Sequence, residues 1–156
     1  MRTYTNDELK EILASHAKWL KGDGGQRANL RDGDLSYANL RYANLRDANL
    51  SYTDLSYAIL NDAILNDAIL TGAILNDAIL TGADLIGAEG NGREVMSSYV
   101  HPWRVVHTDN IVAIGCQQHS KSDWLNFTDD EISEMSPRAL VWWKEWKPKL
   151  IDMGIF

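Results

Sequence analysis

Residues Ala58–Leu85 read AILNDAILNDAILTGAILNDAILTGADL. The unit is five residues long, whereas a helix repeats near 3.6 residues and a strand near 2, so neither template accounts for it. Working outward, leucine holds every fifth position from Leu30 to Leu85, twelve times without a miss. Two residues before each leucine stands a small residue: Ala28, Gly33, Ala38, Ala43, Ala48, Thr53, then alanine from Ala58 through Ala83. The other three positions are mostly Asn, Asp, Ser, Arg, Tyr, Thr or Gly. Each unit therefore offers one large and one small inward candidate. So strict a period specifies a solenoid, in which a unit buries its face only by stacking on its neighbour.

The motif resembles the pentapeptide-repeat family, whose consensus is A(D/N)LXX, from Ala28 to Gly87. That resemblance implies a mainly β fold: a right-handed quadrilateral β-helix with twenty residues to a square coil. Twelve units would make about three coils, a shaft about 14 Å tall at the spacing of hydrogen-bonded strands. Leucines twenty apart would then stack in four interior columns, the first being Leu30, Leu50 and Leu70. A buried leucine contributes roughly 1.5–3 kcal/mol, so the shaft is stable if its ends are covered.

Three segments follow: 1–27, 28–87 and 88–156. In the first, Thr5 and Glu8 form a capping box before Leu9, Ile12, Leu13, His16 and Leu20, an apolar stripe at helical spacing. Gly22, Gly24 and Gly25 end that helix, which is the expected cover for the first coil. Trp19 flanks the stripe as a packing residue. The third segment reads as a small α+β unit. WRVVHTDNIVAIG from Trp103 predicts a hairpin turning at Thr108–Asn110. Thr128 and Glu131 cap a helix through Met135, Ser136 and Pro137 start another, and Pro148 ends or kinks it. IGCQQHS from Ile114 and ALVWW from Ala139 resemble the tails of phage and bacterial pentapeptide-repeat proteins.

The net charge of -7 argues against direct nucleic-acid binding, which needs a cationic surface. One cysteine excludes an internal disulfide framework, and no apolar run is long enough for a membrane span. The N-terminus lacks a signal-peptide pattern, so the expected compartment is a cytoplasm, the host's if the chain is phage-encoded. Cys116 and His119 have C-x-x-H spacing, with His101 and His107 nearby. Zinc needs four converging ligands, and this spacing alone is weak, so neither metal nor cofactor is expected. A Cys–His nucleophile lacks an orienting partner and a glycine-rich oxyanion loop, and the repeat contains no His, Cys or Glu. The chain does not read as an enzyme. Trp124, Trp142, Trp143 and Trp146 read as a core for the third segment before a base-stacking platform.

Function, then, should be written on the outside of the shaft. Residues 28–87 contain eight Asp and three Arg. Asp34 would stack under Asp54 and Asp47 under Asp67. Some family members imitate duplex DNA and inhibit DNA-binding proteins such as topoisomerases, and acidic columns are what that likeness requires. Arg31, Arg41 and Arg46 interrupt them. The position before each leucine changes from Asn or Asp to Ile at Ile59 through Ile79. Ile59 and Ile79 share a face with Tyr37, Tyr57 and Tyr42 at its corners, a surface for the C-terminal segment or for a partner. The expectation is a non-enzymatic module that modulates a host protein, with a self-assembling homodimer as the alternative and a small-ligand or metal site behind both.

Overall fold

A computed structural model describes residues 1–100 and 102–156, with Ser98 and Tyr99 by their backbone alone. Its central feature is a stack of parallel bridges whose partners are twenty residues apart, such as Asn29 with Asn49 and Asn49 with Ile69. The five-residue unit explains why. Three of its residues turn a corner, leaving two for each side. After every leucine the chain bends, and the second residue on has positive φ in all twelve units, from Asp32 to Gly87. The next small residue's N–H then donates back to the leucine carbonyl, as Ala38 does to Leu35 at 3.0 Å. This is a tight turn with left-handed backbone at its third residue.

Every corner throws its leucine inward. Leu30 through Leu75 and Leu85 are buried, and Leu80 is the exception. Thr53, at a small position, is also fully buried, and its hydroxyl donates to the Leu30 carbonyl at 2.9 Å. The residue before the leucine closes the corner locally. The side chains of Asn29, Asp34, Asn39, Asn44, Asn49 and Asp54 each accept from the N–H two residues on, at 2.9–3.4 Å. Such Asx turns are what short polar side chains do best. From Ile59 to Ile79 the side chain has no acceptor, and these corners close by backbone alone.

At the N-terminal end, β1 (Arg2–Thr3) pairs in parallel with β2 (Gly33–Asp34) in the first coil. Gly33 stands where most units carry alanine because the Tyr4 ring lies 2.6 Å from where a Cβ would be. Helix α1 (Asn6–Lys21) follows, with the predicted Thr5–Glu8 capping box and Gly22 in the left-handed region at its C-cap. Leu9 and His16 are buried against the first coil, with Ile12 and Leu13 packed beside them. His16 Nδ1 accepts from the Ala28 N–H at 3.1 Å, filling a place that a turn carbonyl fills elsewhere in the shaft. Its other nitrogen, Nε2, is buried without a partner. Trp19 stacks on the His16 ring, 5.6 Å between centroids.

Beyond Glu89 the chain leaves the shaft and forms an antiparallel meander of β3 (Met96–Val100), β4 (Trp103–His107), β5 (Ile111–Ile114) and β6 (Gln117–Ser120). The predicted hairpin is its middle pair. Alternate residues face opposite ways along a strand. Val106 and Ala113 pack onto the solenoid core, while Val105, Val112 and Ile114 join a second core. Both faces are covered, so the hairpin reads as continuous apolar sequence. Three helices close the second core: α2 (Lys121–Asn126), α3 (Asp129–Met135) and α4 (Ala139–Asp152). Trp124, Trp142 and Trp143 are buried there, and the Trp124 indole N–H donates to the Val112 carbonyl at 2.7 Å.

The description as mainly β needs correcting. The sides of the shaft are isolated bridges, because two residues per side leave no room for longer strands, and helices occupy much of both flanks. Pro148 does not end its helix. Helix α4 runs on to Asp152, holding Leu150 fully buried.

Candidate interaction surface

The face between the corners at 57 and 62 brings Ile59 and Ile79 into direct parallel register, above Asn39. Tyr37 and Tyr57 stack at one corner with ring centroids 4.9 Å apart and planes 8° from parallel. Asp77 continues that corner upward, and its charge raises the pKa of the Tyr57 hydroxyl. Tyr42 marks the other corner of the same face. All three tyrosines sit in the left-handed region, at φ 59°, 60° and 59°. A bulky side chain there is unfavourable by about 1–2 kcal/mol relative to glycine. Yet Tyr37 and Tyr42 are 71% and 70% exposed, so little burial offsets that strain.

The C-terminal segment does not cover this face. It covers the end of the shaft instead, because the sheet's inward residues match the open top of the leucine columns. Ile79 remains 45% exposed.

The acidic columns form as a vertical geometry: Asp34 and Asp54 are bridge partners, and the Asp67 corner follows Asp47. Their carboxylates are occupied locally, however. Asp34 accepts from the Ser36 N–H and hydroxyl, which holds its pKa below the usual range, and Asp54 accepts from the Ser56 N–H. Asp47 lies 3.6 Å from Arg46, and Arg31 covers the Tyr52 ring at 5.0 Å.

Cys116 is exposed beside Gly115 in the turn between β5 and β6. His119 is held edge-on against Trp124 and Phe127, with Nε2 3.2 Å from Gln117 Oε1. His107 ends β4, and burial followed by the Lys121 charge lowers its pKa. His101 lies outside the described residues. Among the described residues, no group of three or more His, Cys, Asp or Glu is placed to hold a metal ion. No described helix is long and apolar enough to cross a membrane.

The upper end of the shaft carries an arrangement that sequence reasoning missed. In the coils below, one residue a turn up accepts from a leucine N–H with its C=O and donates its N–H to the small residue's carbonyl. Ile79 does this for Leu60 and Ala58, at 2.8 and 2.9 Å. At the last coil, the Gln118 carboxamide takes the place of that residue's backbone pair: Oε1 accepts from Leu85 N–H at 2.8 Å and Nε2 donates to Ala83 C=O at 2.6 Å. Asn91 Nδ2 likewise donates to Ala73 C=O at 3.0 Å. No local signal announces these partners, since Gln118 lies more than thirty residues from the shaft edge it closes.

Residues 28–67 and 58–89 match the family model of pentapeptide repeats, in eight copies. This part of the chain is a pentapeptide-repeat array, and the fold it forms is the right-handed quadrilateral β-helix. Among solved structures the chain is similar to HetL, a pentapeptide-repeat protein involved in heterocyst differentiation regulation in the cyanobacterium Nostoc sp. strain PCC 7120. The match is 42% identical over 42% of this chain and 31% of HetL, with a TM-score of 0.41. It is similar also to Rfr23 from the cyanobacterium Cyanothece 51142, 40% identical over 42% of each chain, with a TM-score of 0.37. A third is a thylakoid-lumen protein of Arabidopsis thaliana, 29% identical over 40% of this chain and 48% of that one, with a TM-score of 0.24. The chain spans less than half the length of each of these three structures. No curated protein matches it.

Proposed function

We propose that this is a non-enzymatic interaction module that binds another protein through the face of Tyr37, Tyr42, Tyr57, Ile59 and Ile79. The observation that carries this reading is the cluster of three tyrosines at left-handed corners of one face, where Asp or Gly serves in every other unit except that of Tyr52. A cost to the fold without matching burial points to selection for contact. Aromatic and aliphatic side chains grouped on one exposed face are what protein interfaces enrich. The partner is a host protein in a cytoplasm if the chain is phage-encoded. Imitation of nucleic acid is the less favoured form of the reading, because the acidic columns are engaged by local hydrogen bonds and interrupted by arginines.

A homodimer through the same face is the second reading, favoured by the exposed Ile79 and Tyr37. Light scattering and affinity capture decide between them. Changing Ile59 and Ile79 together to Asn should leave the circular dichroism unchanged. Loss of a captured partner with unchanged mass supports the interaction module, and a fall in mass supports the dimer. If neither capture nor mass changes, the face is not an interface.

A further inference from the structure

The side of the last coil between the Asn91 and Gln118 contacts is the one at Ala78–Leu80. Among the described residues neither the Leu80 N–H nor the Ala78 C=O has a hydrogen-bond partner. The residue that the repeat would place above them, nineteen past Leu80, is Tyr99, and it pairs with Arg104 in the meander instead. A cleft of about 530 Å³ stands there, between the shaft edge and the turn at 108–110. Its floor is apolar, from Leu75, Ala78 and Leu80, which is why Leu80 alone among the repeat leucines escapes full burial. Its rim carries Asp77, Asp109 and Glu94, the last bonded to Asn91 Nδ2; among the described residues no lysine or arginine lines it, Arg93 and Lys121 lying in the adjoining hollow on the far side of Glu94 and Asp109.

From this we infer that the cleft binds one extended, cationic peptide segment of a partner protein. The inference rests on the interaction reading above and locates a second part of the same surface, since Ile79 belongs both to the Tyr/Ile face and to the cleft. Three features select such an occupant. The open donor and acceptor repeat the pair that the Gln118 carboxamide fills on the next side, so the N–H and C=O of one residue in an extended segment complete both bonds at once. Strand addition to an exposed edge uses main-chain pairing of this kind. An extended segment also alternates its side chains, so apolar residues can face Leu80 while the intervening ones meet the carboxylates. Those carboxylates select cations, and a glutamate-bearing strand would be repelled.

The test uses the full chain and a fluorescent, acetylated and amidated hexapeptide alternating lysine and valine. It should bind at least about tenfold more tightly than its glutamate–valine counterpart, with a difference that shrinks in high salt. Asp109→Lys, in an exposed turn outside both cores, should weaken it by about tenfold. Amide exchange at Leu80, followed by NMR, should slow on binding, and N-methylating the peptide backbone should abolish both effects. Failure of the lysine peptide to bind, equal binding of the glutamate peptide, or indifference to N-methylation overturns the inference. So does a dimer in the free protein with Leu80 already protected, because a second copy then fills the cleft. Changing Tyr37 and Tyr57 to Asn should leave peptide affinity intact, so the face and the cleft fail separately.

Discussion

The two ends of the shaft meet the same physical demand with different materials. A stack of coils presents open backbone edges at both ends, and open edges invite pairing between chains. At the start, one amphipathic helix and a two-residue strand close the edge, and His16 supplies an acceptor to Ala28. At the finish, a sheet face covers the leucine columns and two side-chain amides stand in for peptides of a coil that is not there. The first end is closed by contiguous sequence. The second is closed largely by residues brought from far along the chain; among the described residues it leaves the Ala78–Leu80 side open and the Leu75 N–H of the side before it without a partner. A cap made of one local helix is robust; a cap assembled from distant amides can be tuned one side at a time.

The largest effect should come from a change in the columns that both ends protect. Leu55→Asp puts a carboxylate into a fully buried column with no polar partner, and should cost about 4 kcal/mol or more. Thermal melting by circular dichroism should show no cooperative transition from the native state. A near-native melt would mean that the leucines do not line the interior.

The far end should be more sensitive to one amide than the near end is to any surface residue. Gln118→Ala strands the Leu85 N–H and the Ala83 C=O, with an expected loss of about 1–3 kcal/mol. Gln118→Glu should not restore it, since a carboxylate can accept from Leu85 but cannot donate to Ala83. Urea unfolding of the three proteins ranks them.

The near end should instead respond to acid. Burial lowers the His16 pKa from its ordinary 6.5, while the nearby Arg46 carbonyl acts the other way without reaching hydrogen-bond geometry. The unfolded chain therefore binds more protons than the folded one as pH falls through about 6.5, so stability drops there and levels off below the folded pKa. Protonated Nδ1 cannot accept from Ala28. Protection factors across α1, taken relative to the intrinsic exchange rate at each pH, should fall near about pH 5.5 in the wild type, and His16→Gln should flatten that dependence.

The smallest effect concerns a corner. Tyr42→Asn replaces a bulky left-handed residue with one that tolerates the conformation, and should stabilise the shaft by up to about 1 kcal/mol. A lower melting temperature would show that Tyr42 supports the fold and is not retained for contact.

How far the sequence reached divides along the same line. The leucine columns, the Thr5 and Thr128 capping boxes and the central hairpin were legible because each rests on spacing within a few residues. Ser120 and Asp123 form a third capping box of the same short span, which opens α2. The Gln118 and Asn91 contacts were not, because nothing in a local window marks an amide as the substitute for a distant peptide. The path of α4 through Pro148 was set by tertiary burial of Leu150, which overrode the local rule. For the candidate surface, the Tyr37–Tyr57 stack followed from the period, whereas the cleft beside Ile79 arises where the repeat stops and Tyr99 departs into a sheet.

The corner bonds made by Asn29 through Asp54, and missing from Ile59 through Ile79, give the shaft a direction in time. Early corners hold their bend with a side chain two residues away, so they can form before a neighbouring coil exists. The isoleucine corners depend on the coil already laid down beneath them, until Asp84 restores the side-chain bond to the Ile86 N–H at 3.1 Å. A chain emerging from its N-terminus would thus build its own template first and its dependent coils second. Under load the order should reverse, with the isoleucine corners fraying first and the Asx corners last to let go.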